Sequence, residues 1–593
     1  MHRTMTLAGA AAFAGAAGLA TAGGDVPISV ITSEVFDVPD GPLVPPTSRN
    51  RVVQFIGTGL NIDNDGNWYG AFTFGIDDPN DALETGRDVA FFRNGAPFSR
   101  EGFQLPNSPE WVPQAEETVR ASGGTPYRTA RVSGDGTVGQ RLGGVTGFSL
   151  LPDGTPDPGS LIPFATLDTF QLGVLDNTVF AVEGEALEPF SSIFNDPDTT
   201  PAPGFDTGTG AIIEDISMVW PISATEAYAS IRFQEGGGGT FGDAASALLR
   251  ITGIGTPSQG GEIIWVDSSG FQFAPLGIEL DSSNDFNEGF EASPDGSFVT
   301  TIDIDGLSFD EADAVLRFDA PTDTFSIVAQ GGDPSPAGPG RDLAFLDSAV
   351  AINEAGDIAY VADDNGDSSD DTFIVVNGEV RAREGETVGT LAPGSLQDLT
   401  DQFGGRNLEL DREGNVIWPG VWNQDGLCEG ITDSGFGIFN AIFFNDEPII
   451  EAGVTELHDV QIGDAFFETL VVKEIGNSQA GSFTVSPDGD RLIAAVFAVE
   501  PSDEICDFST NNDTVPGQTV LIEVDLAALR GDGPGPCVPA DLAQPFGVLD
   551  GADVNAFISA FGGTDASADL NEDGVIDGAD VNAFISAFGA GCP

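Results

Sequence analysis

Basic residues are scarce in this chain. Lysine occurs once, at position 473. Lys and Arg together number 21 against 94 Asp and Glu, a formal net charge of −73. A surface this negative repels the phosphates of nucleic acid and the headgroups of anionic membranes, so neither is an expected partner. It attracts calcium and other cations. It also suits a saline medium, where an acidic surface stays hydrated and screened; solubility alone is the plainer account. Histidine is nearly missing too. Of the two, His2 lies in the N-terminal leader described below, which leaves His458. That removes most Ser-His-Asp, Cys-His and His-metal chemistry, and His458 reads as a surface or edge residue. No Walker loop, GxGxxG or GxSxG is present. The GGGG run at 236–239 lacks the lysine of a phosphate loop and reads as an insertion. Beyond residue 22 there is no long apolar run, so no membrane span is expected in the mature chain.

Residues 1–22 have the form of a secretory signal. His2 and Arg3 precede a run of Ala, Gly, Leu and Phe, and Ala20-Thr21-Ala22 offers small residues for cleavage. The expected location is outside the cytoplasm, secreted or at the cell surface. The four cysteines then meet an oxidising compartment. Of the three possible connectivities, Cys428–Cys506 with Cys537–Cys592 keeps each bridge inside one domain. Free or metal-binding thiols are the alternative, although there is no CxxC.

What is present is apolar enough to fold. Hydrophobic residues make up 40%, and Phe numbers 43. Residues 23–50 form a proline-rich lead-in. From 51 to 530 short alternating runs of Val, Ile, Phe and Thr are cut by turn residues, with 78 Gly and 38 Pro in the chain. A unit of strand, tight turn and strand recurs around Gly66, Gly136, Gly296, Gly356, Gly414 and Gly489. The intervals are about 60 to 75 residues, with one double interval between Gly136 and Gly296. The segment Val219–Phe233 fits that gap without a glycine. A second hairpin often follows, as in VAFFRNGAPFSREG and TFIVVNGEVRAREG. Two hairpins per unit give a four-stranded sheet, and seven units predict a mainly β, seven-bladed propeller. This resembles the propeller-like repeat proteins of exported bacterial families. A pair of β-sandwiches or a β-solenoid is the competing architecture. The strand at 519–526 is placed to close the ring, and 531–536, GDGPGP, reads as a linker.

The C-terminal segment, 537–593, is duplicated. GADVNAFISAFG occurs at Gly551–Gly562 and again, unchanged, at Gly578–Gly589. Each copy follows an acidic loop. In the second, Asp569, Asn571, Asp573, Asp577 and Asp580 take the first, third, fifth, ninth and twelfth positions. Gly574 falls at the sharp turn and Val575 offers its carbonyl. That is the ligand plan of an EF-hand-type calcium loop, with Asp in place of Glu at the end. The first loop is poorer: Asp541, Asp550 and Asp553, with the carbonyl of Val548, are its candidates. Ala543 and Pro545 stand where carboxylates are wanted. After each loop Val554, Phe557, Ile558 and Phe561, then Val581, Phe584, Ile585 and Phe588, form an apolar helical stripe. Loop plus exiting helix, twice, between Cys537 and Gly591-Cys592, resembles a dockerin, in particular the dockerin-like C-terminal modules of exported bacterial proteins. The resemblance covers about a tenth of the chain and is specific only in the second repeat. It implies calcium as cofactor and a cohesin-like or cell-surface protein as partner. Asn555 and Ser559, matched by Asn582 and Ser586, would make two equivalent docking faces.

Two function classes follow. In the first the β domain is a binding or scaffold module with a polysaccharide or protein ligand, attached through the C-terminal module. In the second it is a polysaccharide-degrading enzyme, a carboxylate-dependent glycoside hydrolase or lyase. With 94 carboxylates, a catalytic pair cannot be picked from the sequence. The acidic loop 363–371 has calcium as one reading and a solvated turn as the other. Trp418 and Trp422, flanking a Pro-Gly turn, suit sugar stacking less well than core packing.

Overall fold

This computed structural model describes the strands and tight turns between residues 26 and 530. In the C-terminal part it describes Ala540, six helical positions between 554 and 561, Ala568, Leu570, Ile576 and 578–590. Connecting stretches such as 114–128, 188–210, 424–440 and 502–516 lie outside the described residues.

Between 26 and 530 the described chain is almost entirely strand. Seven antiparallel sheets have four or more strands, and one small pair joins Gln272–Phe273 to Ile278–Glu279. We number the seven sheets I to VII in chain order. Sheet I is built on Arg51–Ile62, Trp68–Phe74, Val89–Arg93 and Ala96–Arg100, and sheet II on Thr129–Val132, Val138–Leu150, Phe170–Leu175 and Thr178–Val182. Sheet III runs from Ala211–Ser223 to Gly260–Asp267, sheet IV from Phe290–Ala292 to Thr324–Gln330, and sheet V from Leu343–Ile352 to Glu379–Arg383. Sheet VI is Glu409–Leu410, Val416–Asn423, Ala441–Phe444 and Glu447–Glu451, with Ser395–Leu399 on its edge. Sheet VII joins Phe483–Val485, Arg491–Val499 and Gly517–Asp525 to the hairpin Glu456–Ile462/Ala465–Ile475.

Two short strands of the lead-in join sheets: Phe36–Asp37 pairs with Arg51 and Val52 of sheet I, and the other belongs to this last sheet. Ile28–Ser33 pairs with Gly517–Asp525, setting Ile28 opposite Val524 and Ser33 opposite Val520. Within 23–50, expected to precede the β domain, the described strands Ile28–Ser33 and Phe36–Asp37 are thus part of its sheets. A strand of ISVIT composition needs a sheet to satisfy its backbone, and the free edge of the final strand supplies one.

Each sheet buries both faces, one against the sheet before it and one against the sheet after. Period-two alternation does this within single strands. Ile417 packs toward sheet VII, and Trp418, its neighbour, toward sheet V. The apolar core is therefore divided among interfaces. Tyr69 and Phe91 meet Val138 and Leu142 between I and II, and Phe180 meets Ile216 between II and III. Tyr228 and Trp265 meet Phe298 between III and IV, and Val299 meets Tyr360 between IV and V. The remaining pairs follow in order, and Phe72 and Phe92 of sheet I close against Ile493 and Leu521 of sheet VII. The arrangement is propeller-like. Trp418 stacks on Phe443 at 4.2 Å and donates its indole N–H to the Asn445 carbonyl, so it is core. Lys473 is buried as well, 7% exposed, whereas His458 is exposed on Glu456–Ile462.

The turn glycines predict correctly where the first hairpin of each unit reverses. Gly66, Gly136, Gly296, Gly356, Gly414 and Gly489 have φ of +79°, +81°, +86°, +82°, +78° and +74°, the left-handed region in which a Cβ is strained. In sheet III the hairpin turns between Ser223 and Glu226 without a glycine. The second hairpins reach back to the first. Asn94 accepts from the N–H of Trp68, Asp176 from Val138, Asn377 from Ile358 and Asn445 from Val416, at 2.9–3.1 Å. All four acceptors sit at φ between +46° and +54°, where Asn and Asp are the tolerated side chains. Asn445→Gly is expected to lower stability by about 1–2 kcal/mol through the lost clamp. Asn445→Ala is expected to cost about 1 kcal/mol more, from backbone strain; comparison of urea midpoints checks the order.

The C-terminal part has its own small core of Ala540, Phe557, Ala568 and Phe584. Phe557 and Phe584, equivalent in the two copies, stack at 4.3 Å. The second copy forms the helix Gly578–Ala590. The apolar stripe is narrower than its spacing suggested. Ile558 and Ile585 are 61% and 62% exposed, because a single facing pair of short helices can cover only the Phe edge of each stripe.

Candidate functional site

The cavity of interest is one that residues from all seven sheets line. It is partly open to solvent, and one strand end from every sheet lines it. Asn61, Arg131, Trp220, Glu291, Asn353, Glu409 and Thr484 come from sheets I to VII respectively. Five of them stand at one offset before the turn glycine of their unit: Asn61 before Gly66, Arg131 before Gly136, Glu291 before Gly296, Glu409 before Gly414 and Thr484 before Gly489. The hairpin repeat fixes that placement, since the strand entering each turn lies nearest the axis.

Arg131 is the cation of the channel. Its guanidinium lies over the Trp220 ring, 4.4 Å from the centroid, a favourable cation–π geometry. Phe290 packs edge-on against the same indole at 5.6 Å and holds it in place. Among the described residues no carboxylate lies within 4.0 Å of the guanidinium. Enclosure by protein lowers the Arg131 pKa, and the charges of Glu291 and Glu409 partly restore it. Glu409 accepts a long hydrogen bond from the Thr484 hydroxyl at 3.4 Å. Asn61 and Asn353 are tied down, donating to the carbonyls of Ala130 and Asp411 at 3.1 and 2.8 Å.

Around this rim the turns are linked sheet to sheet. The Gly134 carbonyl accepts from Asn64, whose side chain accepts from Asp488 N–H, while the Tyr228 hydroxyl donates to the Gly296 carbonyl. Burial of Tyr228 pushes its own ionisation far up. Asp295 behaves oppositely. Burial raises its pKa, but hydrogen bonds from the Ser293 hydroxyl and the Ser297 N–H and hydroxyl outweigh it, so the net shift is downward. A depressed carboxylate stabilises the fold at pH above its ordinary value of 3.8 and loses that contribution as pH falls through the folded value. The stability gap between Asp295→Asn and the parent is thus expected to be constant near neutrality and to shrink in acid; melting curves from pH 7 to pH 3 test it.

The predicted calcium residues are mostly outside the described residues: Asp569, Asn571, Asp573, Val575 and Asp577, and Asp541, Val548, Asp550 and Asp553. So are the four cysteines, and Asn555 and Ser559 of the docking face. Asp580 is described and fully buried, and its Oδ1 accepts from the Leu570 N–H at 3.0 Å. This joins the two ends of the second loop at the start of the helix. Asn582 and Ser586 are exposed on that helix, with the Ser586 hydroxyl turned back to the Asn582 carbonyl. In the acidic loop, Asp364 is buried against Arg341 at 3.0 Å and the Ser335 hydroxyl at 2.9 Å, so this carboxylate serves an ion pair. Asp63, in NIDNDG, likewise accepts from Asp65, Asn67 and Tyr69 as a hairpin turn.

No family model matches the chain, and no curated protein matches it. Among solved structures it is similar to a puromycin hydrolase variant at 12% identity, covering 79% of this chain and 55% of that one, with a TM-score of 0.33. A protein of unknown function from Dyadobacter fermentans is similar at 11% identity, over 67% of this chain and 93% of that one, with a TM-score of 0.27. An exo-β-1,3-galactanase from Phanerochaete chrysosporium follows at 11%, 49%, 55% and 0.21. None of these likenesses transfers a role to a residue here.

Proposed function

We propose that this chain is an exported binding protein. In this reading the seven sheets are the blades of a seven-bladed propeller, the channel is its ligand site, and the C-terminal segment is a calcium-dependent, dockerin-like handle for a partner or the cell surface. One observation carries the reading: sheets II, III, IV and VI bring a stacked Arg–Trp pair and two glutamates to one cavity that residues of all seven sheets line. The second reading, a polysaccharide-degrading enzyme, is favoured by the same two carboxylates, Glu291 and Glu409. Incubation of the purified protein with a polysaccharide panel separates the two. Retention without turnover supports the binder. Turnover that Glu291→Gln or Glu409→Gln abolishes supports the enzyme.

The handle has its own expected behaviour. Its core is a handful of apolar side chains, too few to offset chain entropy alone. Calcium at 100 times its Kd would add about 2.7 kcal/mol. Calorimetry of the whole chain is expected to show a small transition that moves up with calcium and is unmoved in the Asp569→Ala/Asp580→Ala variant. A small transition identical in chelator would remove calcium from the proposal.

A further inference from the structure

Two of the asparagines that clamp the second hairpins carry a further chemistry. Asn94 and Asn377 are each followed by glycine; the third such pair in the chain, Asn365-Gly366, ends outside the described residues. Glycine has no side chain to shield its amide nitrogen from the preceding carboxamide. That nitrogen can attack the asparagine Cγ. The N–Cγ bond forms, the Cγ–Nδ2 bond breaks, and the backbone proton leaves with Nδ2 as ammonia. Water then opens the cyclic imide, at either carbonyl, to aspartate or isoaspartate. A closed clamp opposes the attack. In sheet V, Asn377 Oδ1 accepts from the Ile358 N–H at 3.1 Å and Nδ2 donates to Asp357 Oδ1 at 2.8 Å. The carboxamide is thus held toward the first hairpin, and both bonds must break before it can meet the Gly378 nitrogen. Asn377 and Gly378 are exposed at the hairpin end, where local opening is least costly. Asn94 is held in the same way in sheet I, by the Trp68 N–H at 3.0 Å and Asn67 Oδ1 at 2.6 Å.

The product fits the two sites differently. In sheet I the group facing Nδ2 is the uncharged amide oxygen of Asn67, and Arg93 stands beside the same turn, 3.7 Å from Asp63. Sheet II carries an aspartate, Asp176, at its clamp position. In sheet V the group facing Nδ2 is the Asp357 carboxylate, and among the described residues no cation lies within 4.0 Å of it. Arg317 approaches Gly356 but is paired with Asp319 at 3.3 Å. An ionised aspartate at 377 has no proton to donate and meets a like charge at hydrogen-bond distance. Asp357 also accepts from Asn353 at 2.9 Å, and Asn353 lines the cavity. We propose that Asn377 is a self-modification site. Opening of the sheet V hairpin admits attack by the Gly378 nitrogen, and the acid that results prevents the clamp from closing again.

The test follows the full chain in mildly alkaline buffer by peptide mapping with mass detection, folded and in denaturing urea. Asn377 is expected to convert in both, at least about tenfold more slowly when folded, the scale of a modest local opening equilibrium. Urea midpoints then measure the product. Asn377→Asp should lower the folding equilibrium constant by about tenfold or more, the scale of one lost hydrogen bond and a facing like charge. Asn94→Asp should lower it by less than about threefold, the surface-pair scale. Adding Asp357→Asn to Asn377→Asp removes the like charge and supplies an amide donor, so the double variant should regain most of the loss. The double variant also keeps the test decisive if Asn377→Asp alone does not fold. No conversion at Asn377 in the folded chain, or conversion as fast as in urea, overturns the gated site. Equal stability of Asn377→Asp and Asn94→Asp, or a double variant no more stable than Asn377→Asp, overturns the part given to Asp357 and the proposal with it.

Discussion

Arg530→Met is expected to destabilise the β domain by about 3–5 kcal/mol, the scale for stripping one partner from a buried ion pair. Arg530 ends the short helix Leu526–Arg530 that follows the last strand, and its side chain is 3% exposed. Nη1 donates to Asp411 Oδ2 at 2.9 Å and to the Gly489 carbonyl at 2.7 Å, and Nη2 pairs with Asp490. Asp411 is fully buried in the sheet VI turn, where its other oxygen accepts from the N–H groups of Glu413 and Asn415 at 2.9 and 2.8 Å. One guanidinium thus ties the chain end to the turns of two sheets, and its removal leaves a dry carboxylate. Arg412→Met is the control. That side chain also pairs with Asp490, at 3.3 Å, but is 43% exposed, so its loss should cost under about 1 kcal/mol. Urea midpoints for the two variants measure the contrast. Arg530→Met falling within 1 kcal/mol (about the surface-pair scale) of the parent would show that the buried pair contributes little.

The second large effect is steric. A Cβ on Gly489 would stand 2.2 Å from the Arg412 nitrogen and 2.8 Å from the Asp411 carbonyl carbon, both backbone atoms of the neighbouring sheet. Its φ of +74° adds strain. Gly489→Ala is expected to cost about 3 kcal/mol or more, about half of it conformational. Gly378→Ala has the same strain, φ +82°, with nothing within 4 Å, and should cost about 1–2 kcal/mol. The difference between the two isolates the close approach of sheets VI and VII. Equal losses would mean that the sheets move apart at no cost.

The local grammar of the fold was open to reading because glycine and asparagine have few other reasons to recur at fixed offsets. Gly66 through Gly489 mark reversals that need positive φ, and Asn94, Asn377 and Asn445 mark the second set. The unit at Val219–Phe233 was found by spacing alone, since its turn needs no glycine. The missing pieces were non-local. Nothing in ISVITS names its partner strand nearly the whole domain away. Glu291 and Glu409 were hidden among 94 acids, because what sets them apart is the cavity they line with residues of the other sheets. The offset before each turn glycine was the usable signal, and it required the ring to be known. Ile558 and Ile585 misled for a different reason: helical spacing states which side chains share a face, and only the partner states how wide a face is covered.

The pairing of Ile28–Ser33 with Gly517–Asp525 has a consequence for the order of folding. Among the described strands, the earliest in sequence has no mate until Gly517–Asp525 is available. Six sheets can assemble from hairpins close in sequence, but the seventh waits for both ends of the domain, the slowest kind of contact to form. Until then the edge of Gly517–Asp525 is open to pairing with another chain. A chain truncated before residue 517 would leave Ile28–Ser33 without its partner strand, and the final folding step of the β domain should be a slow kinetic phase that vanishes when Ile28–Ser33 is deleted.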